Sequence, residues 1–147
     1  MIRPATPHDI PRLVELGQLL HDTSSYAGIR YIPEKVTALL RALISGAGTL
    51  FVAERDGRVV GGIAGGIAEI WFSNETTAYD YCLFVDPATR HGVTTIGLIK
   101  AFEAWAIDRG VSRIELGITT GILVESTSNL FRRLGYHDAG ALFRKEV

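Results

Sequence analysis

Residues 78–85 (AYDYCLFV) read as a strand with little alternation, as expected where both of its faces are covered. A short polar turn follows. Residues 94–109 then place Ile96, Ile99, Phe102, Trp105 and Ala106 on one helical face, with Gly110 as the stop. Residues 111–118 (VSRIELGI) alternate as a strand again. Strand, helix and strand in this order form a crossover unit, and it limits the fold more than any other feature of the chain. Within residues 85–105 (VDPATRHGVTTIGLIKAFEAW) the turn brings small residues and free backbone N–H groups to the mouth of a helix, where an anion would be held.

The chain before this unit follows a different pattern. Residues 1–5 form a short first strand. Thr6-Pro7-His8-Asp9 starts a helix, with Thr6 as cap and Pro7 at the first position, and Ile10, Leu13, Val14, Gly17 and Leu20 share one face. Residues 21–31 (HDTSSYAGIRY) are a polar loop. Pro33-Glu34 opens a second helix whose stripe is Val36, Leu39, Leu40, Leu43 and Ile44, ended by Gly46 and Gly48. Residues 50–54, the turn Arg55-Asp56-Gly57 and residues 58–72 then read as a hairpin with a long second arm. Gly61, Gly62, Gly65 and Gly66 in that arm predict bulges or close approach of another backbone. After the crossover unit, residues 126–134 form a short helix closed by Gly135, and residues 136–147 carry one or two last strands. A meander joined to a crossover predicts an α/β chain of the mixed α+β kind. Its six- to seven-stranded, mostly antiparallel sheet would be flanked by about four helices, in a single domain over residues 1–147.

With 47% hydrophobic and 21% charged residues, the 147-residue chain is expected to be globular. Its net charge of −1 carries no basic footprint for nucleic acid. Cys82 is the one cysteine, which excludes an internal disulfide and a cysteine-based zinc cluster; its apolar strand makes it a buried structural thiol. No metal site is expected. No signal peptide is visible, and the weakly polar residues 59–68 are too short to span a bilayer, so a soluble, cytoplasmic protein without membrane contact is expected. Apolar residues 67–72 on the long arm point to a homodimer.

Five pieces of the chain, in order and spacing, resemble the GNAT superfamily of N-acetyltransferases: Ile2-Arg3-Pro4-Ala5-Thr6 with Asp9-Ile10; Phe51-Val52-Ala53-Glu54 with Gly57 and Val59-Val60-Gly61; Val85-Asp86-Pro87; Arg90; and Leu130-Phe131-Arg132-Arg133-Leu134-Gly135-Tyr136. The family's pyrophosphate turn is Arg/Gln-x-x-Gly-x-Gly/Ala. From Arg90, its small positions here hold Val93 and Thr95, with the glycine moved to Gly92, similar to the Arg-x-Gly-x-Thr form of some phage-associated members. The resemblance implies acetyl-CoA as cofactor. Pyrophosphate would lie on Arg90, His91, Gly92, Val93, Thr94 and Thr95, and pantetheine on main chain at Leu83, Phe84 and Val85 facing residues 115–118. Asn129 is within reach of the cofactor. Phe131 stands where the family has its proton-donating tyrosine, and phenylalanine has no proton to give. On sequence alone, Arg90 is equally a solvated turn arginine and His91 reads as exposed.

Acetyl transfer to an amine needs a base. Asp80, an acid within an apolar strand, is the first candidate, because a carboxylate there must be paired, solvated in a cleft or raised in pKa; a hydrogen-bonded structural aspartate is the alternative. Glu69 is second. Glu125 is third, although its place before Ser126 also suits a helix N-terminus. Tyr26, Tyr31 and Trp71 would line the acceptor site, with the family's acceptor loop falling on residues 23–31. These features predict an acetyl-CoA-dependent N-acetyltransferase acting on a primary amine, small-molecule or peptide, by direct ternary-complex attack. The alternative is a GNAT-fold acyl-CoA-binding or interaction module with little or no catalysis. A nucleotide-binding α/β domain would need a glycine fingerprint that the turn lacks.

Overall fold

The computed structural model describes residues 1–89 and 92–147. Five strands, β1 (Ile2–Pro4), β2 (Thr49–Arg55), β3 (Arg58–Glu69), β4 (Thr76–Val85) and β5 (Arg113–Glu115), form one sheet in the order of the chain. β1 to β4 are antiparallel, and only β4 and β5 run parallel, as the crossover unit requires. Helices α1 (Ile10–Thr23) and α2 (Pro33–Ala42) cover one face, α3 (Gly92–Asp108) covers the other, and α4 (Val124–Arg133) follows β5. A π turn at Leu43–Ala47 ends α2, with Gly46 at φ +109°.

The two faces carry separate cores. Ile10, Leu13, Leu16, Leu40 and Leu43 meet Leu50, Val52, Val59 and Phe84 on the first. Leu98, Phe102 and Ala106 meet Ala53, Val60, Ile63, Ala78 and Val85 on the second. The N-terminal helix start is held by Asp9, whose carboxylate accepts from the Thr6 amide (2.8 Å) and from two Arg3 nitrogens (2.8 and 3.0 Å). The Asp56-Gly57 turn has positive φ at both residues, which suits the twist of the β2–β3 hairpin.

The glycines of β3 act as expected. Gly65 lies under Phe102 of α3 and against the Tyr79 carbonyl, and the Tyr79 ring crosses Gly66. The β3–β4 register shifts here: Gly65 pairs with Asp80 and Ala64 with Cys82, leaving Tyr81 as an extra residue in β4. Ala78 and Leu83 accordingly both serve the α3 core, while Cys82 and Phe84 face the α1–α2 core.

The expected count of six to seven strands is corrected to five among the described residues. Residues 136–147 join no ladder and are exposed apart from half-buried Tyr136. Their polar groups are engaged elsewhere: Asp138 accepts from Arg132 (2.9 and 3.0 Å), and Arg144 reaches Ser25 and Thr119. A cavity of about 1180 Å³ separates this segment from β5.

Candidate active site at the β4–β5 fork

Ladder pairing between β4 and β5 is limited to Thr77 with Arg113, Ala78 with Ile114 and Tyr79 with Glu115. Beyond these pairs β4 continues to Val85 along β3, and no ladder among the described residues joins it to the segment after β5. The strands therefore part, and Asp80 stands where they do. Its Oδ1 accepts the Gly117 amide at 3.0 Å across the gap. Because Asp80 pairs with Gly65, its side chain is on the α3 face. Burial pushes its carboxyl above the usual carboxylate range, and the Gly117 amide only partly offsets this.

At the outer end of β4 the chain is pinned before the turn to α3. Asp86 Oδ1 accepts the Ala88 amide (3.0 Å), and Asp86 Oδ2 is held by Arg12 of α1 (3.0 Å). Arg12 Nε also donates to the Val59 carbonyl at 3.1 Å, so one guanidinium joins α1, β3 and the turn. Arg12 was not distinguishable in the sequence from a surface helix charge. Its only signal is its place beside the apolar face of α1. The N-terminus of the 17-residue α3 follows, with Gly92 and Val93 exposed and Thr94 and Thr95 half-buried. A side chain added at Gly92 would meet no atom within 4 Å, so the helix mouth has room for a ligand. Arg90 and His91 lie outside the described residues.

The remaining candidates divide. Leu83 is half-buried and Phe84 and Val85 are buried, so their side chains serve the cores and only main chain faces the gap. Glu69 is exposed at the end of β3, paired with Thr76; four residues from Gly65, it is about 13 Å along the strand from the Asp80 pair. Glu125 is exposed in the first turn of α4, where its charge suits the helix end. Asn129 accepts from Arg132 at 3.0 Å. Phe131 is buried, 5.9 Å from Tyr136, whose hydroxyl donates to Glu103 at 3.0 Å. Cys82 packs toward the α1–α2 core, where burial, with a contribution from Asp80, pushes its thiol up to about 12. Tyr79 and Tyr81 stand together on the α1–α2 face, hydroxyls 3.2 Å apart.

Tyr26 and Tyr31 belong to the loop between α1 and α2. Tyr31 donates to the Val14 carbonyl (2.9 Å) and lies over Gly17, which fixes it as a packing residue of α1. Trp71 is 92% exposed at the β3–β4 tip, edge-on to Phe72, with no aromatic contact to Tyr26 or Tyr31 among the described residues. In the last turn of α1, His21 Nδ1 bonds Asp22 (3.2 Å), and its Nε2 reaches the loop at the Ile29 carbonyl. Both partners accept, so the protonated ring can donate from both nitrogens, and its pKa is raised, first by Asp22 and then by the Ile29 carbonyl. A raised folded pKa stabilises the loop fully below the unfolded value of about 6.5, and that contribution is lost as pH rises through the folded value. The expected result is a His21 titration above the ordinary histidine range, with amide exchange in residues 24–31 accelerating across the same interval. A His21 that titrates at or below the ordinary value would remove this lock.

A mixed sheet whose parallel pair parts beyond Tyr79 and Glu115, followed by the open N-terminus of α3, matches the arrangement that the resemblance to the GNAT superfamily implies. The chain belongs to the acetyltransferase (GNAT) family, whose model matches residues 16–136. No curated protein sequence matches it significantly. Among solved structures it resembles an aminoglycoside acetyltransferase from an uncultured soil metagenomic sample (23% identity, 100% of this chain and 97% of that one, TM-score 0.74). It also resembles aminoglycoside N-acetyltransferase AAC(6')-Iy in complex with CoA (16% identity, 100% of both chains, TM-score 0.75). A Trypanosoma brucei acetyltransferase is similar as well (15% identity, 100% of this chain and 99% of that one, TM-score 0.75). At these identities the likeness is one of fold. Among the described residues no helix is long and apolar enough to cross a membrane.

Proposed function

We propose that the protein is an acetyl-CoA-dependent N-acetyltransferase that acts on a primary amine of a small molecule in a direct ternary complex. The observation that carries this reading is the β4–β5 fork with Asp80 at its apex, bonded across the gap to Gly117. Family membership supports the reaction class, and the aminoglycoside acetyltransferases of the same fold support a small amine as acceptor.

Bound acetyl-CoA supplies an acetyl thioester. The residues present fit it: main chain at Leu83, Phe84 and Val85 lines the fork for pantetheine amides, and the open mouth of α3 at Gly92, Val93, Thr94 and Thr95 offers N–H donors and its positive end to the pyrophosphate. Arg90 and His91 of the same turn by sequence, and Asn129 and Phe131 of α4, are the further cofactor contacts of this proposal. Asp80 would take the proton from the attacking amine as the C–N bond forms and would return it to the departing thiolate, so the proton count balances. Its raised pKa moves it toward the operating pH, which suits a base. A protonated Cys82 thiol in the core is a poor nucleophile, which supports direct transfer over a covalent route.

One observation favours the alternative, an acyl-CoA-binding module. Phe131 is buried without a hydroxyl, and the nearby Tyr136 hydroxyl is committed to Glu103. Calorimetric titration with acetyl-CoA followed by thiol release across a panel of amines separates the two. Saturable binding with turnover of a small amine is expected. Binding without turnover of any amine would favour the module, and no binding would end both readings.

A further inference from the structure

Arg144 makes three contacts that the reaction chemistry does not use. Nη1 donates to Ser25 Oγ at 2.9 Å, Nη2 donates to the Thr119 carbonyl at 3.2 Å, and the guanidinium lies 4.6 Å over the Tyr26 ring. Ser25 and Tyr26 belong to the α1–α2 loop, and Thr119 belongs to the segment leaving β5. The two segments are already joined there: the Ser25 amide donates to the Thr120 carbonyl (2.7 Å), and Ser25 Oγ donates to the Thr119 carbonyl (2.9 Å). Arg144 thus closes a knot of three chain segments otherwise far apart in sequence. The knot sits next to the fork, since Gly117, two residues before Thr119, supplies the amide that bonds Asp80.

We infer that Arg144 is a positioning residue for the acceptor: by holding Ser25 and Tyr26 against residues 119–120, it sets how far the α1–α2 loop stands from the Asp80 carboxylate. This rests on the proposed transferase reading for its kinetic part only. A planar guanidinium matches the task, because it donates to two acceptors and stacks on a ring at once, which an ammonium does less well. All three contacts touch the loop or its dock and none touches the α3 mouth, so Arg144 makes no contact with the proposed pyrophosphate site.

The test uses the full chain with Arg144→Ala and Arg144→Lys. Amide exchange in residues 25–29 is expected to accelerate about tenfold in Arg144→Ala, as for the loss of two hydrogen bonds and one stacking contact at an exposed site, and to fall between the unaltered protein and Arg144→Ala in Arg144→Lys. Exchange in β2, β3 and β4 is expected to stay unchanged. With kanamycin as the probe amine, or the best amine of the panel, KM for the amine is expected to rise about tenfold in Arg144→Ala while kcat and acetyl-CoA affinity hold, because only docking is lost. Unchanged exchange in residues 25–29 overturns the proposal whatever the kinetics. Faster exchange with an unchanged amine KM overturns its acceptor part. If no amine is turned over even by the unaltered protein, the transferase reading fails, while the exchange result still decides whether Arg144 holds the loop.

Discussion

Asp80→Asn is expected to lower turnover about 10²- to 10⁴-fold, the range for removal of a positioned general base, and to leave acetyl-CoA affinity unchanged. The change is nearly isosteric, and the new amide oxygen can still accept the Gly117 N–H that holds Asp80 at the fork. What is lost is the capacity to take a proton. Stability should move the other way. Burial raises the Asp80 pKa, so its contribution to folding is fully present below the unfolded value of about 3.9 and is lost as pH rises through the folded value. Above that folded value the ionised carboxylate opposes folding, and asparagine removes that opposition. The variant should therefore melt no lower than the unaltered protein at pH 7, with the difference shrinking as pH falls. Loss of activity without loss of stability separates a functional acid from a structural one. Turnover within threefold of the unaltered protein would remove Asp80 from the base role.

Gly65→Val is expected to destabilise the protein by about 3 kcal/mol, at the upper end of overpacking effects. A Cβ at Gly65 would lie 2.5 Å from Phe102 Cε2 and would also strike the Tyr79 carbonyl. Phe102 is fully buried and Tyr79 is fixed in the ladder, so neither can give way without disturbing the α3 core or the β3–β4 pairing. Gly92→Ala is the matched control, since nothing lies within 4 Å of its added carbon. Denaturant midpoints with a common slope would measure both. A Gly65→Val midpoint equal to that of the control would mean that the sheet and α3 are far looser than their packing indicates.

The crossover unit and the β2–β3 hairpin were legible in the sequence because periodicity and turn chemistry are local. Asp80 was legible because a lone acid in an apolar strand requires a physical explanation, and the fork supplies one. The Arg144 knot was not legible. Ser25 and Arg144 are 119 residues apart, both are ordinary surface residue types, and no periodic signal joins them. The expectation of last strands in residues 136–147 failed for a related reason. A place at the end of the chain after a helix suggests a strand, but pairing also needs a partner at hydrogen-bonding distance, and here a cavity intervenes. Glu69 and Trp71 belong to an apolar arm whose far end the structure extends away from the fork.

The extra residue at Tyr81 acts as a change of parity within one strand. Without it, every second side chain of β4 would belong to the same face from end to end. With it, Tyr79, Tyr81 and Cys82 fall on one side, while Ala78, Asp80, Leu83 and Val85 fall on the other. A single-residue deletion at this point would leave a regular strand, with Leu83 and Val85 still toward α3 and Phe84 still toward α1 and α2. Drawing Tyr81 into the ladder would instead act like a frameshift confined to packing, sending Leu83 and Val85 toward α1 and α2 and Phe84 toward α3 with every residue type unchanged. The outer half of β4, which leads into the α3 turn, depends for its orientation on that one residue staying out of the ladder.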